Sequence, residues 1–192
     1  MARPMEFDRD EAIDKAISVF ADHGFEGSST AQLLGRMGIG RQSLYGAFGD
    51  KRRLFLEALA RYNAGSLAQM EAALAPEGSP RAAIEAALLA FASGLDAAPE
   101  AGCLGVGSIA EFGRADPEIN AINDAAARRF KAAFAARLAD GVVAGEFAAD
   151  LDPETAAEFL LATRAGLKIA ARDGAGLERL RPIVRMAMRS LG

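Results

Sequence analysis

The 192-residue chain has no tryptophan, two tyrosines, one histidine and one cysteine. A single cysteine excludes an internal disulfide framework and any multi-cysteine zinc site. His23 and Cys103 lie far apart in sequence, so a nucleophile–base pair has almost nothing to be built from. There is no Gly-x-Ser-x-Gly elbow and no metal-ligand spacing. Catalytic residues, a metal and any other cofactor are therefore not expected. Long apolar runs are also missing. The longest uncharged stretches, 86–95 and 101–110, fall well short of the ~18 residues that span a bilayer. The first residues, Met-Ala-Arg-Pro-Met-Glu-Phe-Asp, contain no apolar h-region, so no signal peptide is expected and the cytoplasm is the expected compartment. Strand formers are scarce as well: 5 Val, 9 Ile and 3 Thr stand against 44 Ala. Alanine is the best helix former, and strands draw on β-branched and aromatic residues. The chain is expected to be all-α, with a core built from Leu, Ile, Met and the 11 Phe. A net charge of −4 with 51% hydrophobic residues excludes global disorder.

Helix starts are legible. Phe7-Asp8-Arg9-Asp10-Glu11 reads as a staple, an N-cap and a capping-box glutamate. Ser79-Pro80, Asp116-Pro117 and Asp152-Pro153 each place a capping side chain before a proline at the first helical position. Asp50 before Lys51 is a further cap. Apolar spacing then predicts about nine helices, near 9–23, 30–37, 41–48, 51–74, 80–95, within 104–112, 117–139, 153–172 and 177–191. Gly24 ends the first. The stretch 94–107 is the least regular. Its Gly102-Cys103-Leu104-Gly105-Val106-Gly107 does not fit the dinucleotide fingerprint, and no strand precedes it, so nucleotide binding is not expected. A boundary is expected near residue 50, with three short helices before it (1–50) and longer ones after (51–192).

The segment from Ser28 to Arg53 carries the most information. Ser28-Ser29-Thr30 offers hydroxyl caps to a helix holding Leu33, Leu34 and Met37. Gly38 can take the left-handed conformation, and Ile39 is an apolar residue in the turn. A second short helix follows, with Leu44 and Phe48 facing inward. Two short helices joined by a tight glycine turn form a helix-turn-helix. Its outward face carries Arg41, Gln42, Ser43, Tyr45 and Gly46. Arginine and glutamine make bidentate contacts to guanine and adenine edges. Residues 36–53 hold Arg36, Arg41, Lys51, Arg52 and Arg53 against Asp50 alone, a local cationic patch in an acidic protein.

Ser43-Leu44-Tyr45-Gly46-Ala47-Phe48-Gly49-Asp50-Lys51, following Gly24-Phe25 and Ser28-Ser29-Thr30, resembles the tetracycline-repressor (TetR) family of bacterial regulators. That resemblance implies an N-terminal helix-turn-helix domain (1–50) on operator DNA. It also implies a helical C-terminal domain (51–192) that dimerises and binds a small apolar or amphipathic effector. Carried over, Tyr45 and Lys51 contact phosphates, Thr30 sits at the DNA backbone, and Arg41, Gln42 and Ser43 face bases. Gly46 and Ala47 stand where the family often has bulky or His side chains, which changes the groove-facing surface. Gly40 stands where a Ser or Asn cap is common. Arg3-Pro4 reads either as a minor-groove arm or as a frayed terminus.

In the C-terminal part, Phe91, Leu95, Ile109, Phe112, Phe130, Phe134 and Phe159 are the candidate pocket walls, with plain core packing as the alternative for each. Glu111 and Arg114 are candidate polar groups at the pocket edge. The helices near 153–172 and 177–191 carry more apolar surface than one domain covers. That points to a four-helix dimer interface holding Leu160, Leu167, Val184 and Met188. Cys103 reads as a buried structural thiol rather than a thiol sensor, because no cation lies near it in sequence. His23 reads as a helix-end cation. A helical small-molecule-binding protein without a DNA role is the rival reading from a different class.

Overall fold

The computed structural model describes residues 7–75, 78–97 and 103–192. Among these there are nine helices and no strand: α1 (Arg9–Gly27), α2 (Thr30–Met37), α3 (Arg41–Phe48), α4 (Lys51–Leu74), α5 (Pro80–Ala97), α6 (Leu104–Phe112), α7 (Pro117–Val143), α8 (Pro153–Arg172) and α9 (Leu177–Arg189). Each expected N-cap is made, while Glu11, expected to close a capping box on Asp8, pairs with Lys15 at 2.8 Å instead. Asp8 accepts from the N–H groups of Asp10 and Glu11 at 2.9 and 3.1 Å. Asp50 accepts from Arg53 N–H at 2.8 Å, and Asp116 from Glu118 and Ile119 N–H at 3.1 Å. Ser79 Oγ accepts from Ala82 N–H at 3.0 Å, and Asp152 from Thr155 N–H at 3.0 Å. Short polar side chains placed one residue before a helix satisfy N–H groups that have no intrahelical partner.

Two helix ends lie four residues beyond expectation. The first helix breaks at Gly24 (φ 73°, ψ −177°) but a further turn continues to Gly27. The seventh runs past residue 139 to Val143, because its terminating left-handed residue is Gly145 (φ 71°), with Glu146 N–H reaching back to Gly141 C=O at 2.8 Å. Gly141 itself stays helical. A Cβ there would overlap the buried Phe147 ring.

The chain folds as two compact units, Met1–Ala64 with Ala101–Asn123, and Gly65–Glu100 with Asp124–Gly192. The division does not fall at residue 50: α1–α3 share their unit with the first part of α4, with α6 and with the start of α7. The first unit closes over Phe20, Leu33, Leu44, Leu54, Phe55 and Leu59. The second closes over Ile84, Leu88, Phe134, Leu138, Leu160 and Val184. No helix of the described residues is long and apolar enough to cross a membrane.

Candidate nucleic-acid interface

The helix-turn-helix is built from local chemistry. Ser29 caps α2 in a reciprocal box: its Oγ accepts from Gln32 N–H at 3.2 Å, and Gln32 Oε1 accepts from Ser29 N–H at 2.8 Å. Gly38 ends α2 at φ 71° and donates to Leu34 C=O at 3.0 Å. That left-handed turn costs a glycine nothing. Gly40 opens α3 without a side-chain cap. Leu33 and Met37 of α2 and Leu44 and Phe48 of α3 are buried in one core. This leaves Arg41, Gln42, Ser43 and Tyr45 exposed on the far side of α3, with open space around Gly46. Thr30 is half-buried as the first residue of α2. Lys51 opens α4, its ammonium 4.5 Å from the Phe25 ring centroid. Both therefore stand at helix N-termini, where orphan N–H groups and the helix dipole favour an anion.

The cationic patch is smaller than the residue count implies. Arg52 binds Asp116 through two N–H groups at 2.6 and 3.0 Å and Glu118 at 2.6 Å. It ties the start of α4 to the start of α7 within one unit. The Arg52 guanidinium and the Ile119 N–H hold the Asp116 carboxyl at about 2. This cation belongs to the fold.

Two family models match the chain. That of the bacterial regulatory proteins of the tetR family covers residues 12–58, and that of the tetracyclin repressor-like C-terminal domain covers residues 78–184. The chain is 33% identical to an uncharacterized HTH-type transcriptional regulator of Bacillus subtilis, YezE, over 98% of both chains. It is 32% identical to the HTH-type transcriptional repressor ComR of Escherichia coli, over 97% of this chain and 90% of that one. Among solved structures, a cysteine-substituted variant of the TetR family regulator CifR, complexed with a 26-bp double-strand operator DNA, superposes with a TM-score of 0.84. The two are 34% identical over 99% of this chain and 100% of that one. The chain belongs to the TetR family.

Members of the TetR family are helix-turn-helix transcriptional regulators that form homodimers and answer to small effectors, and this chain is such a regulator. In this TetR-family chain the break at Gly24 is held from outside α1. Glu111 of α6 accepts from Phe25 N–H at 2.8 Å and Glu26 N–H at 2.7 Å, the groups the break exposes. Sequence alone makes Glu111 a candidate for the pocket edge. The structure assigns it to α1 instead, because the donors that need it lie 85 and 86 residues away. No local pattern signals a contact of that span. Gly24→Ala should lower stability by about 1–3 kcal/mol, since that backbone region is nearly glycine-only and a Cβ would come 2.8 Å from Glu111 Oε2. Glu111→Gln, which keeps the shape and loses the charge, should cost about 1 kcal/mol. Thermal unfolding of both variants checks the pair, and a Gly24→Ala protein as stable as wild type would count against it. Cys103 is half-buried rather than buried. It caps α6, its Sγ accepting from Val106 N–H at 3.2 Å and Tyr62 O–H at 3.4 Å.

The seven pocket candidates do not share one surface. Phe112 stacks with Phe25 and Phe55 in the first unit, at centroid distances of 5.9 and 5.8 Å, and Ile109 of the same unit is exposed. Phe134 is fully buried core of the second unit. Phe159 lines a groove of about 690 Å³ with Leu151, Thr155, Arg189 and Leu191. Only Phe91, Leu95 and Phe130 remain as a group, on α5 and α7. The four dimer candidates need correction. Leu160, Leu167 and Val184 are 0% exposed and Met188 3%, so they are core of their own protomer. An α8–α9 pair must first bury one stripe of each helix against its own domain. The stripes left outside are Phe159, Ala162, Gly166 and Ile169 on α8, and Ile183 and Met186 on α9. Arg3 and Pro4 lie outside the described residues.

Proposed function

We propose that the chain is a cytoplasmic, homodimeric transcriptional repressor released from its operator by a small molecule, with no catalytic role. The single observation behind the residue assignment is the two-sidedness of α3. Leu44 and Phe48 anchor it in the core while Arg41, Gln42, Ser43 and Tyr45 stand in solvent. Arg41, Gln42 and Ser43 read base edges. Tyr45, Lys51 and the Thr30 end of α2 hold phosphates. As a functional division, 1–50 serves DNA, joined at the boundary by Lys51, and the rest of 51–192 serves effector and partner, cutting across the packing units. Two protomers join through the exposed stripes of α8 and α9. Their recognition helices must stand about 34 Å apart, or a multiple of it, to read one face of DNA. An effector that prefers another spacing lowers operator affinity by its differential affinity for that state.

Selection of bound sequences from a random DNA pool defines the operator, and salt titrations of variants then test the roles. Lys51→Ala should weaken binding to all sequences alike. It should flatten the log K versus log salt slope by about 0.9 per contact, or about 1.8 per dimer. Gln42→Ala should cost about 1–3 kcal/mol per half-site on the operator and relax one or two base pairs, with non-specific binding nearly unchanged. Gly46→Ala serves as a control. Apart from the helix's own backbone and the adjoining residues, nothing in the protein lies within 4 Å of a Cβ added there, so any loss of affinity reports a close approach of DNA to that backbone. If Lys51→Ala altered sequence preference and Gln42→Ala altered only the salt slope, the orientation assigned to α3 would be wrong.

A further inference from the structure

The last helix carries a row of cations along one side. Arg181, Arg185 and Arg189 follow one another at four-residue spacing on α9, and all three are exposed. Among the described residues none of them makes an ion pair or a side-chain hydrogen bond. Like charges at this spacing repel one another, so the row weakens the helix that carries it. The opposite side of α9, with Leu180, Val184 and Ala187, is buried in its own core. An excess of the other sign stands at the start of α8. The segment 150–158 holds Asp150, Asp152, Glu154 and Glu158 and no cation, and all four are exposed. Glu154 and Glu158 share the single ammonium of Lys131, at 3.1 and 3.7 Å. The two patches adjoin within the second unit. Asp150, Asp152 and Arg189 line one groove of about 690 Å³, together with the apolar Leu151, Phe159 and Leu191.

We propose that these adjoining patches form a self-complementary docking surface for a second copy of this chain, the Arg181–Arg185–Arg189 row of each protomer meeting the acidic 150–158 segment of the other. The proposal rests on reading α8 and α9 as the dimer interface, and it adds the charges that fix the register of that interface. In a two-fold dimer the same patch serves both subunits. A patch with a positive half beside a negative half therefore pairs with its own copy, because the two-fold axis lays each half on the other and makes two identical sets of contacts. The surface is continuous with the exposed apolar stripes, since Phe159 belongs both to the α8 stripe and to the groove, and Met186 stands beside the arginine row on α9. Charges at the edge of an interface select partner and register and speed association. The net charge of −4 makes two copies repel at long range, and a local pairing of opposite signs offsets that repulsion. A nucleic acid or an anionic bilayer would meet the arginine row but would be repelled by the acidic half beside it.

The test uses the full-length protein in two charge-reversed forms. One carries Arg181→Glu, Arg185→Glu and Arg189→Glu. The other carries Asp150→Lys, Glu154→Lys and Glu158→Lys, with the helix cap Asp152 kept. Dimer dissociation is followed by sedimentation between about 0.05 and 0.5 M salt, and pairing in mixtures by native mass spectrometry. At low salt each form alone should dissociate about tenfold more readily than wild type, because several weak attractions become repulsions. Mixed, the two forms should pair with each other well above the half that random pairing gives, since both contact sets are then again of opposite sign. Salt should loosen the wild-type dimer and tighten each reversed form, by screening attraction in the first and repulsion in the others. Random pairing in the mixture, or reversed forms that dimerise as tightly as wild type, would overturn the proposal. So would a glutamate form that keeps its dimer while losing affinity for non-operator DNA or for vesicles of anionic phospholipid, which would give the row to that partner. Should the lysine form fail to fold, the glutamate form alone decides: a dimer as tight as wild type, or one that loosens with salt, would count against the pairing. The underlying reading fails in a different way. A Met186→Glu protein that stays dimeric, beside reversed forms that pair selectively, would defeat the apolar stripe and leave the charge pairing standing.

Discussion

Phe55→Ala is expected to destabilise the protein by about 3–5 kcal/mol, the range for deleting a buried phenyl ring. That is a large part of the ~5–15 kcal/mol that holds a domain folded. For a chain of this size it corresponds to a fall in melting temperature of roughly 6–20 °C. The reason lies in its position. Phe55 is 1% exposed and meets Phe20 edge-on at 5.0 Å, Phe25 at 5.2 Å and Phe112 at 5.8 Å, so one truncation removes three ring contacts and leaves a cavity between α1, α4 and α6. Operator affinity should fall with it. Phe25 carries the Lys51 ammonium on its face and lies next to the turn that leads into α2, so loosening that ring disorders the residue we propose as a phosphate contact. Thermal unfolding followed by circular dichroism, with operator binding on the same samples, checks both effects. An unchanged melt would show that the cluster does not hold the unit together.

The second large effect separates two faces of α9. Val184→Glu buries a carboxylate at a position with no exposed surface, where an uncompensated charge cannot be solvated. It should fail to fold or should aggregate. Ile183→Glu and Met186→Glu sit one residue before it and two after it, at 41% and 64% exposure. Each should fold with nearly wild-type helicity, elute as a monomer and lose most operator affinity, because one half-site forfeits the contribution of the other. Size exclusion with light scattering, circular dichroism and anisotropy distinguish the three variants. A Met186→Glu protein that remains a dimer and binds operator normally would remove that stripe from the interface. The contrast is sharp because each residue of a helix is turned by about 100° from the one before it, so neighbours in sequence fall on different faces.

The parts of this protein that sequence makes legible are those governed by near neighbours. Asp8, Ser29, Asp50, Ser79, Asp116 and Asp152 cap helices through bonds spanning two or three residues, so their side chains and the positions they serve appear together in the chain. The all-α class follows from alanine excess and strand-former scarcity. The helix-turn-helix follows from Ser29, Gly38 and the spacing of Leu33, Met37, Leu44 and Phe48. The exposure of Arg41, Gln42, Ser43 and Tyr45 follows from the same spacing, since a short helix that buries Leu44 and Phe48 leaves only one other side.

What only the tertiary structure decided concerns choices between faces and partners distant in sequence. Leu160, Leu167, Val184 and Met188 carry the right chemistry for an interface, yet they serve their own core. Hydrophobicity alone does not say which of two apolar stripes is covered by the protomer and which remains outside. Glu111 belongs to the break at Gly24, and Arg52 belongs to Asp116 and Glu118, through bonds of 64 to 86 residues' separation. Phe112 joined an aromatic cluster under α1, while Phe91 and Phe130 came to face the cations of α8. A charge or a ring in sequence has many possible partners of equal chemical merit. The folded backbone selects among them, because a hydrogen bond or a stack forms only where two elements approach within a few ångströms.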